Sequence, residues 1–280
     1  MSQQKVYDAV VVGGGPAGST AARDLALAGH DVLLLDRAGR IKPCGGAIPP
    51  RLMRDFDIPR SMLCAEIGSA RIISPADRKV DMPIEGGFVG MVNRETFDEF
   101  LRARAEQDGA ERRTGTFERI EQLSDGTSKV EYRVNGHDGP THEVRAKLVV
   151  GADGARSKVA RQSMPGGGET PCVFAYHEII EAPSGEDVDY DARRCDVMYR
   201  GAISPDFYGW VFPHGATASV GTGSANKGFS LRQSVKDLRE VSGLQRAKTI
   251  RREGAPIPLK PLPRWDDGRN VLLAGDAAGV

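Results

Sequence analysis

Three glycines near the start of the chain have the spacing of a phosphate-binding loop. Gly13, Gly15 and Gly18 form the pattern Gly-x-Gly-x-x-Gly directly after an apolar run rich in β-branched residues. Glycines at such a point allow a tight turn, a close approach of the backbone to a pyrophosphate, and close packing of the next helix on the strand. Pro16 and Ala17 lie within this loop, and the first N–H groups and the dipole of the helix that follows would face the phosphates. The pattern predicts a dinucleotide site that includes all five residues.

Asp36 supplies the second part of this predicted site. It ends an apolar run and follows Gly18 at close to the ~20-residue interval expected of a carboxylate that accepts ribose hydroxyls. The neighbouring Arg37 could instead contact a 2′-phosphate. The fingerprint therefore predicts FAD, NAD or NADP without distinguishing among them.

The elements that must position these residues follow from hydrophobic periodicity. Short apolar runs predict buried parallel strands, and apolar residues at helical spacing before a glycine predict helices that end there. The predicted strands are Val6–Val12, Asp31–Asp36, Leu148–Val150 and Val271–Ala274, and the predicted helices are Ser19–Ala28 and Glu95–Gln107. Alternating residues around the turn-prone Asn135-Gly136 predict a β-meander between 130 and 150. Together they predict a Rossmann-like α/β domain.

The second half of the chain has a different pattern. From about Pro171 strand-like stretches dominate, and only Leu231–Val241 has a helical pattern. The predicted strands are Cys172–Ile180, Cys195–Tyr199, Phe207–Phe212 and Ala218–Thr222. We predict a discontinuous cofactor domain at 1–72, 90–168 and 264–280, with a mainly antiparallel substrate domain, 73–89 and 169–263, inserted into it.

The composition limits the kinds of partner. The 280 residues carry 38 basic and 38 acidic side chains, so no net field attracts nucleic acid, and we expect none to be bound. The four cysteines are widely separated and no secretory leader precedes them, which predicts a reduced, cytoplasmic protein without a metal site. No run approaches the ~18 apolar residues that span a bilayer, so any membrane contact would be peripheral.

Two acidic turns at strand ends and one arginine carry a first resemblance. Asp153 and the pair Gly275-Asp276 each follow an apolar strand, and Arg94 is followed by a Phe-Asp pair. These positions resemble the signatures of the flavoprotein hydroxylase superfamily, whose FAD-binding domain is Rossmann-like. The resemblance implies that Gly275 and Asp276 contact the ribityl chain of FAD, that Asp153 supports the turn near the pyrophosphate, and that Arg94 contacts the cofactor. By themselves, Asp153 could be a plain turn residue and Arg94 a solvated helix start.

Two longer segments narrow the resemblance. Residues 42–47 (Lys-Pro-Cys-Gly-Gly-Ala) and 205–213 (Pro-x-x-Tyr-x-Trp-x-Phe-Pro) resemble segments of geranylgeranyl reductases, and the sequence looks most similar to the bacteriochlorophyll and chlorophyll branch. The resemblance implies that Cys44, Gly45 and Ala47 lie beside the flavin ring. By its chemistry alone, Cys44 could equally be a buried small hydrophobe.

The second segment predicts an apolar surface. Its period of two places Tyr208, Trp210 and Phe212 on one face of a strand. A polyprenyl chain needs such a surface, since each buried methylene contributes about 0.8 kcal/mol. The spacing by itself would fit an ordinary aromatic core stripe.

The family resemblance implies an FAD-dependent reductase that hydrogenates the isolated double bonds of a geranylgeranyl group to phytyl. The substrate would be a geranylgeranylated tetrapyrrole or geranylgeranyl diphosphate. NADPH would reduce FAD by transient docking, because the sequence has one dinucleotide fingerprint. An isolated alkene has no carbonyl to stabilise an anion, so hydride transfer must be matched by a proton from an acid in a dry pocket. Cys44 and Tyr208 are the candidates by family position, whereas His177 and His214 are expected to be structural or surface histidines.

Two departures and two alternatives accompany the resemblance. Asp36 replaces the glutamate usual in flavoproteins, which shortens the reach to the ribose. Family members continue beyond the position of Val280, so we expect a C-terminally truncated chain that lacks part of the flavin site and does not hold FAD tightly by itself. The alternatives are a monooxygenase or halogenase of the same superfamily, and a non-catalytic fragment. The reductase would be cytoplasmic or peripheral on the photosynthetic membrane.

Overall fold

The computed structural model describes residues 5–37, 39, 41–136, 138–183 and 189–280. Within these ranges the α-helices are α1 (Pro16–Leu27), α2 (Pro50–Asp55), α3 (Arg94–Gln107), α4 (Lys158–Ser163) and α5 (Leu231–Val241), and 3-10 helices span Arg60–Met62 and Gly275–Ala278. The strands are β1 (Val6–Val12), β2 (Val32–Asp36), β3 (Ala47–Ile48), β4 (Leu63–Ile67), β5 (Ser69–Ile73), β6 (Lys79–Pro83), β7 (Val89–Val92), β8 (Glu111–Thr114), β9 (Thr116–Gln122), β10 (Ser128–Arg133), β11 (Thr141–Gly151), β12 (Cys172–Glu181), β13 (Arg194–Met198), β14 (Gly209–His214), β15 (Thr217–Ser224), β16 (Thr249–Pro258) and β17 (Val271–Leu273). None of the helices in the described ranges is long and apolar enough to cross a membrane.

The chain divides into two compact units. Unit 1 comprises Met1–Ile41, Asp98–Cys172 and Ile257–Val280, and unit 2 comprises Lys42–Phe97 and Val173–Pro256. Each unit is therefore discontinuous in sequence.

Unit 1 is built on a seven-stranded sheet in the order β8-β2-β1-β11-β10-β9, with β17 beside the end of β11. Strands β8, β2, β1, β11 and β17 are parallel, whereas β10 and β9 run antiparallel to their neighbours. Val10 and Val11 are both fully buried, in apolar clusters on opposite faces of the sheet. Burial on both faces is typical of parallel strands covered on both sides. The Rossmann-like α/β prediction is confirmed.

Two local predictions in unit 1 are confirmed with shifted bounds. Helix α1 begins at Pro16, three residues before the predicted start at Ser19. Proline fits the first helical position because the N–H it lacks would have no partner in the helix. The β-meander of β9, β10 and β11 has Asn135 and Gly136 between its last two strands, with φ angles of 63° and 86°. Positive φ at both residues explains the Asn-Gly sequence.

Unit 2 has a seven-stranded sheet in the order β16-β12-β15-β14-β13-β5-β6 and a three-stranded sheet in the order β3-β7-β4. Pairing is antiparallel between β12 and β15, β14 and β15, and β13 and β14, whereas β13 and β5 are parallel. Helix α5 covers β15 and buries Leu238 among the aliphatic side chains of the larger sheet. The predicted sheet domain is confirmed, and α5 has the predicted bounds.

The segments 42–72 and 90–97 lie in unit 2, although the sequence pattern assigned them to the cofactor domain. The physical reason is long-range strand pairing. Strand β5 pairs in parallel with β13, and β7 pairs with β3 and β4. Local periodicity does not reveal partners so distant in sequence. The function of each predicted domain stays a prediction.

Candidate functional site

The glycine loop of unit 1 is packed so closely that two of its glycines are obligatory. A Cβ added to Gly18 would lie 1.8 Å from the Gly13 carbonyl oxygen, and one added to Gly13 would lie 2.3 Å from the Ala152 carbonyl oxygen. Gly13 also has a φ of 107°, which favours glycine. Gly15 differs, because a Cβ there would meet no atom within 4 Å.

The open side of Gly15 lies at the start of α1. Gly15 is the N-cap of this helix, and as a glycine it has no side chain that could cap the first helix N–H groups. Helix N–H groups that lack side-chain partners and face open space suit a pyrophosphate. The loop therefore fits the phosphate group of a dinucleotide.

Asp36 is close to this loop and is held by a residue that sequence reasoning missed. Its Oδ2 lies 3.3 Å from Nη1 of Arg102, which also donates to the Gly14 carbonyl oxygen at 3.1 Å. Burial raises the pKa of the Asp36 carboxyl, while the Gly14 N–H and Arg102 act in the opposite direction. The carboxylate is thus fixed beside the loop, where a ribose would follow the pyrophosphate.

Asp153 acts as an anchor for the N-terminus of α4. Its Oδ2 accepts hydrogen bonds from the backbone N–H groups of Lys158, at 2.6 Å, and Val159, at 3.3 Å. Its Oδ1 accepts from the hydroxyl of Ser157, which is the N-cap of α4 and accepts in turn from the Ala160 N–H at 2.8 Å. These hydrogen bonds tie the turn after β11 to the first turn of α4.

The turn after β17 lies against the start of α1. Gly275 has a φ of 61°, and a Cβ on it would lie 2.8 Å from the Cβ of Ala17. Asp276 is half-buried in the following 3-10 helix. Unit 1 thus brings together the glycine loop, Asp36, and the turns at Asp153 and Gly275, all at the carboxyl ends of parallel strands, the edge at which such sheets bind ligands.

In unit 2, the Cys44–Gly46 loop packs against the strand that carries the aromatic residues. A Cβ on Gly45 would be 3.2 Å from two ring atoms of Phe212, and one on Gly46, where φ is 72°, would be 2.7 Å from Nε2 of His214. Cys44 is exposed, and its sulfur accepts the Gly46 N–H at 3.4 Å. The two glycines let this loop approach the aromatic strand.

The aromatic residues form a continuous row. The ring centroids of Trp210 lie 6.1 Å from those of Tyr208 and 6.2 Å from those of Phe212. Burial raises the pKa of the Tyr208 phenol, and the neighbouring Tyr199 and Cys44 add to this effect. The predicted placement of the three rings on one face agrees with this geometry. We call Tyr208, Trp210 and Phe212 the aromatic face.

Both buried histidines of unit 2 lie beside the aromatic face. His214 Nδ1 is 3.1 Å from the Phe212 carbonyl oxygen, and burial lowers the pKa of its imidazole. His177 Nδ1 lies 2.8 Å from the Ser219 hydroxyl, which also accepts from the Trp210 indole N–H at 3.1 Å. Both histidines are thus buried, and both contact residues of the aromatic face or next to it.

The remaining predicted residues have mixed positions. Arg94 is half-buried as the first residue of α3, Ala47 is exposed in β3, and Arg37 is exposed after β2. Arg102 was missed because an arginine in an amphipathic helix has the pattern of a solvated residue. Its position two turns after Arg94 on α3 was the available signal.

The fold and the glycine loop define a class of protein. Residues 6–172 match the family model of the FAD-binding domain, and the chain is therefore a member of this flavoprotein class. The contacts of Gly13, Gly15 and Asp36 fit the dinucleotide part of such a cofactor.

The comparison with whole proteins identifies the family. The chain is 61% identical over 274 residues to a geranylgeranyl diphosphate reductase of Rhodobacter capsulatus, with 98% of this chain and 69% of that protein covered. It is 37% identical to the chloroplastic geranylgeranyl diphosphate reductase of rice, with 96% and 60% covered. The crystal structure of a geranylgeranyl bacteriochlorophyll reductase-like protein from Thermoplasma acidophilum superposes with a TM-score of 0.87 at 28% identity, with 99% and 72% covered. The chain belongs to the geranylgeranyl reductase family, and it spans 60% to 72% of the length of these three proteins.

Proposed function

We propose that this chain provides the FAD-binding and substrate-facing parts of a reductase that hydrogenates the isolated double bonds of a geranylgeranyl group to phytyl. The observation that carries the proposal is the aromatic face, against which the Cys44–Gly46 loop packs in unit 2. Family membership supports it, because the named relatives are geranylgeranyl reductases. The substrate would be geranylgeranyl diphosphate or a geranylgeranylated tetrapyrrole.

In unit 1, the residues of the glycine loop would hold the pyrophosphate of FAD. Asp36 would accept hydrogen bonds from the ribose, and Asp276 would contact the ribityl chain. Reduced flavin, when bound, supplies the hydride. The protein supplies binding, orientation and exclusion of water.

In unit 2, the aromatic face would bind the hydrocarbon tail. Three adjacent rings offer a surface without charge, and burial of each methylene contributes about 0.8 kcal/mol. A tail with many methylenes and methyl groups would therefore gain affinity from the apolar area that it buries. The position of the rings would decide which double bond of the tail lies in reach of the hydride donor.

Tyr208 and Cys44 would deliver the proton that accompanies hydride transfer. The Tyr208 phenol carries its proton at neutral pH, as an acid requires, and burial raises its pKa above the ordinary value. Cys44 is near enough to raise the pKa of Tyr208, and its side chain is exposed. NADPH would reduce the flavin by transient docking, and contact with a membrane that carries the substrate would be peripheral.

Deletion of the gene in its host, followed by analysis of the pigment tails, tests the function directly. We expect geranylgeranyl in place of phytyl, and restoration of phytyl by the wild-type gene. The Cys44→Ser and Tyr208→Phe alleles should restore it poorly, since loss of a general acid lowers turnover by about 10²- to 10⁴-fold. Unchanged phytyl in the deletion strain would refute the proposal, and NADPH-linked oxygen consumption without alkene loss would favour a monooxygenase.

A further inference from the structure

Four side chains form a polar line across the larger sheet of unit 2, on the side of the aromatic face. The carboxylate of Glu253 lies 3.1 Å from Nε2 of His177, and Nδ1 of His177 lies 2.8 Å from the Ser219 hydroxyl. The Ser219 hydroxyl accepts the indole N–H of Trp210 at 3.1 Å. These residues come from β16, β12, β15 and β14, which are consecutive in the sheet. The line therefore connects a carboxylate on the edge strand to the central ring of the aromatic face.

The line is buried along its whole length. His177 and Glu253 side chains are 3% and 11% exposed, and Ser219 and Trp210 are 0% and 6% exposed. Burial of so many polar atoms is costly unless each finds a partner. Burial also raises the pKa of Glu253, but His177 and Arg251 together hold it below its ordinary value, so the carboxylate is ionised at neutral pH.

The chemistry of the donors fixes the direction of one bond in this line. The Trp210 indole can only donate, so the Ser219 oxygen is its acceptor. The Ser219 hydroxyl and His177 Nδ1 are 2.8 Å apart, and the other ring nitrogen, Nε2, lies 3.1 Å from the Glu253 carboxylate. Each contact therefore constrains the next, from the carboxylate of Glu253 to the indole of Trp210.

The backbone leaves space for this arrangement at one glycine. Trp210, Gly221 and His177 are directly opposite one another on β14, β15 and β12. A Cβ on Gly221 would lie 2.3 Å from Cζ2 of Trp210 and 2.5 Å from Cβ of His177. The indole and the imidazole therefore cover the glycine, and their centroids are 6.1 Å apart.

Packing alone would be satisfied by apolar side chains of similar size, since buried polar groups contribute little net stability compared with well-packed hydrophobic ones. A hydrogen bond to the indole N–H adds direction, because it selects one orientation of a ring that has a single donor. Trp210 is the middle ring of the aromatic face, so its orientation also limits the positions of Tyr208 and Phe212.

We propose that Glu253, His177 and Ser219 are positioning residues that fix the orientation of the Trp210 indole, through the close contact of the Glu253 carboxylate with His177 and the hydrogen bonds that join His177 to Ser219 and Ser219 to Trp210. The three residues need not contact a substrate. Their consequence for turnover rests on the proposed function, whereas their effect on Trp210 does not.

The test uses the indole N–H signals of the 15N-labelled full chain. The protein has two tryptophans, Trp210 and Trp265, and the Trp265→Phe variant identifies the Trp210 signal. In Ser219→Ala we expect this signal to move upfield and its hydrogen exchange to become about tenfold faster, since one hydrogen bond is lost. In Glu253→Gln, which leaves Ser219 in place, we expect a smaller movement in the same direction.

Glu178→Gln is the matched control. Glu178 is an equally buried carboxylate, 12% exposed, next to His177 on the same strand and paired with Arg239, but its side chain points to the opposite face. Its replacement should leave the Trp210 signal in place. If the Trp210 signal is unchanged in Glu253→Gln, as it should be in Glu178→Gln, then His177 and Glu253 have no positioning role. The conservative Glu253→Gln variant keeps the test valid should Ser219→Ala fail to fold.

Kinetics provide the second measurement. With geranylgeranyl diphosphate as the substrate, we expect the Ser219→Ala and Glu253→Gln variants to raise KM several-fold while kcat changes less, because a misplaced ring weakens binding of the tail. A several-fold fall of kcat with KM unchanged would contradict a positioning role. If the wild-type protein does not reduce this compound or a geranylgeranylated pigment, the proposed function fails, and the indole signals still decide the proposal made here.

Discussion

The glycine loop of unit 1 is shaped mainly by contacts of backbone atoms, whereas the aromatic face of unit 2 is shaped by contacts of side chains. In the loop, the close contacts are between backbone atoms, such as the carbonyl oxygens of Gly13 and Ala152 that would meet an added Cβ at Gly18 and Gly13. In the aromatic face, the contacts are between side chains, and Gly221 faces the ring of Trp210 and the Cβ of His177. A site made of backbone has no flexible atom that can move aside, whereas side chains can change rotamer. We therefore expect the loop to be the less tolerant of the two regions.

The largest effect should come from Gly18→Ala. Its Cβ would lie 1.8 Å from a backbone oxygen, so the strand and helix must separate. We expect a loss of about 3 kcal/mol or more in the free energy of unfolding, together with loss of bound FAD. Denaturant unfolding and flavin absorbance measure the two effects. Gly15→Ala is the control, since its Cβ meets no atom within 4 Å, and it should lose FAD without a loss of stability.

Gly221→Ala should have a smaller effect, because its Cβ would meet no backbone atom: it would lie 2.3 Å from a ring atom of Trp210, which can shift, and 2.5 Å from Cβ of His177. We expect a cost of about 1–3 kcal/mol, the usual range for overpacking, and a change in the fluorescence of Trp210. Thermal unfolding and emission spectra check these outcomes. The control is Gly201→Ala, in the same unit, where a Cβ meets no atom within 4 Å. A Gly221→Ala protein as unstable as Gly18→Ala would break the contrast between the two regions.

Asp36→Asn separates cofactor binding from stability. Replacement of the carboxylate removes charge-assisted hydrogen bonds to a ribose, so we expect FAD binding to weaken by about 10- to 100-fold, as followed by flavin titration. Burial raises the folded-state pKa of Asp36 above its ordinary value of 3.8, so the ionised carboxylate opposes folding above that pKa. The cofactor-free variant should therefore be more stable than the wild type at pH 7.

The pH dependence provides the check on this sign. The stability advantage of Asp36→Asn should decrease as the pH falls through the folded-state pKa of Asp36, and it should vanish below 3.8, where the wild-type carboxyl is protonated in both states. An advantage that grows on acidification would contradict the raised pKa.

The smallest effect is expected at the two serine N-caps. Ser157 caps α4 in unit 1 and Ser230 caps α5 in unit 2, and loss of either hydroxyl should cost about 1 kcal/mol. Both variants should have similarly reduced thermal midpoints. Only Ser157→Ala should also weaken FAD binding, because its hydroxyl holds the Asp153 turn. Equal FAD affinity in the two variants would show that this turn does not support the cofactor.

The two regions also differ in how far the sequence predicts them. The glycine loop was predicted in full, because strand, turn and helix are adjacent in sequence and each has its own local pattern. The aromatic face was predicted from a period of two within one strand. By contrast, Arg102 and Glu253 were not predicted, since each reaches its partner from an element more than 60 residues away in sequence from Asp36 and His177, respectively. The pairing of β5 with β13 was not predicted for the same reason, and residues 42–72 therefore belong to unit 2 and not to the predicted cofactor domain.

The sequence by itself determined the Rossmann-like class, the order of the main strands and helices, and the residues of the dinucleotide loop, because local propensity and glycine conformation do not depend on distant partners. Only the tertiary structure decided which side chains meet across the sheets: Arg102 beside Asp36, and the line from Glu253 to Trp210. The physical reason is that hydrogen bonds and ion pairs act over a few ångströms in space. Their partners become apparent only when strand register has set which residues are neighbours.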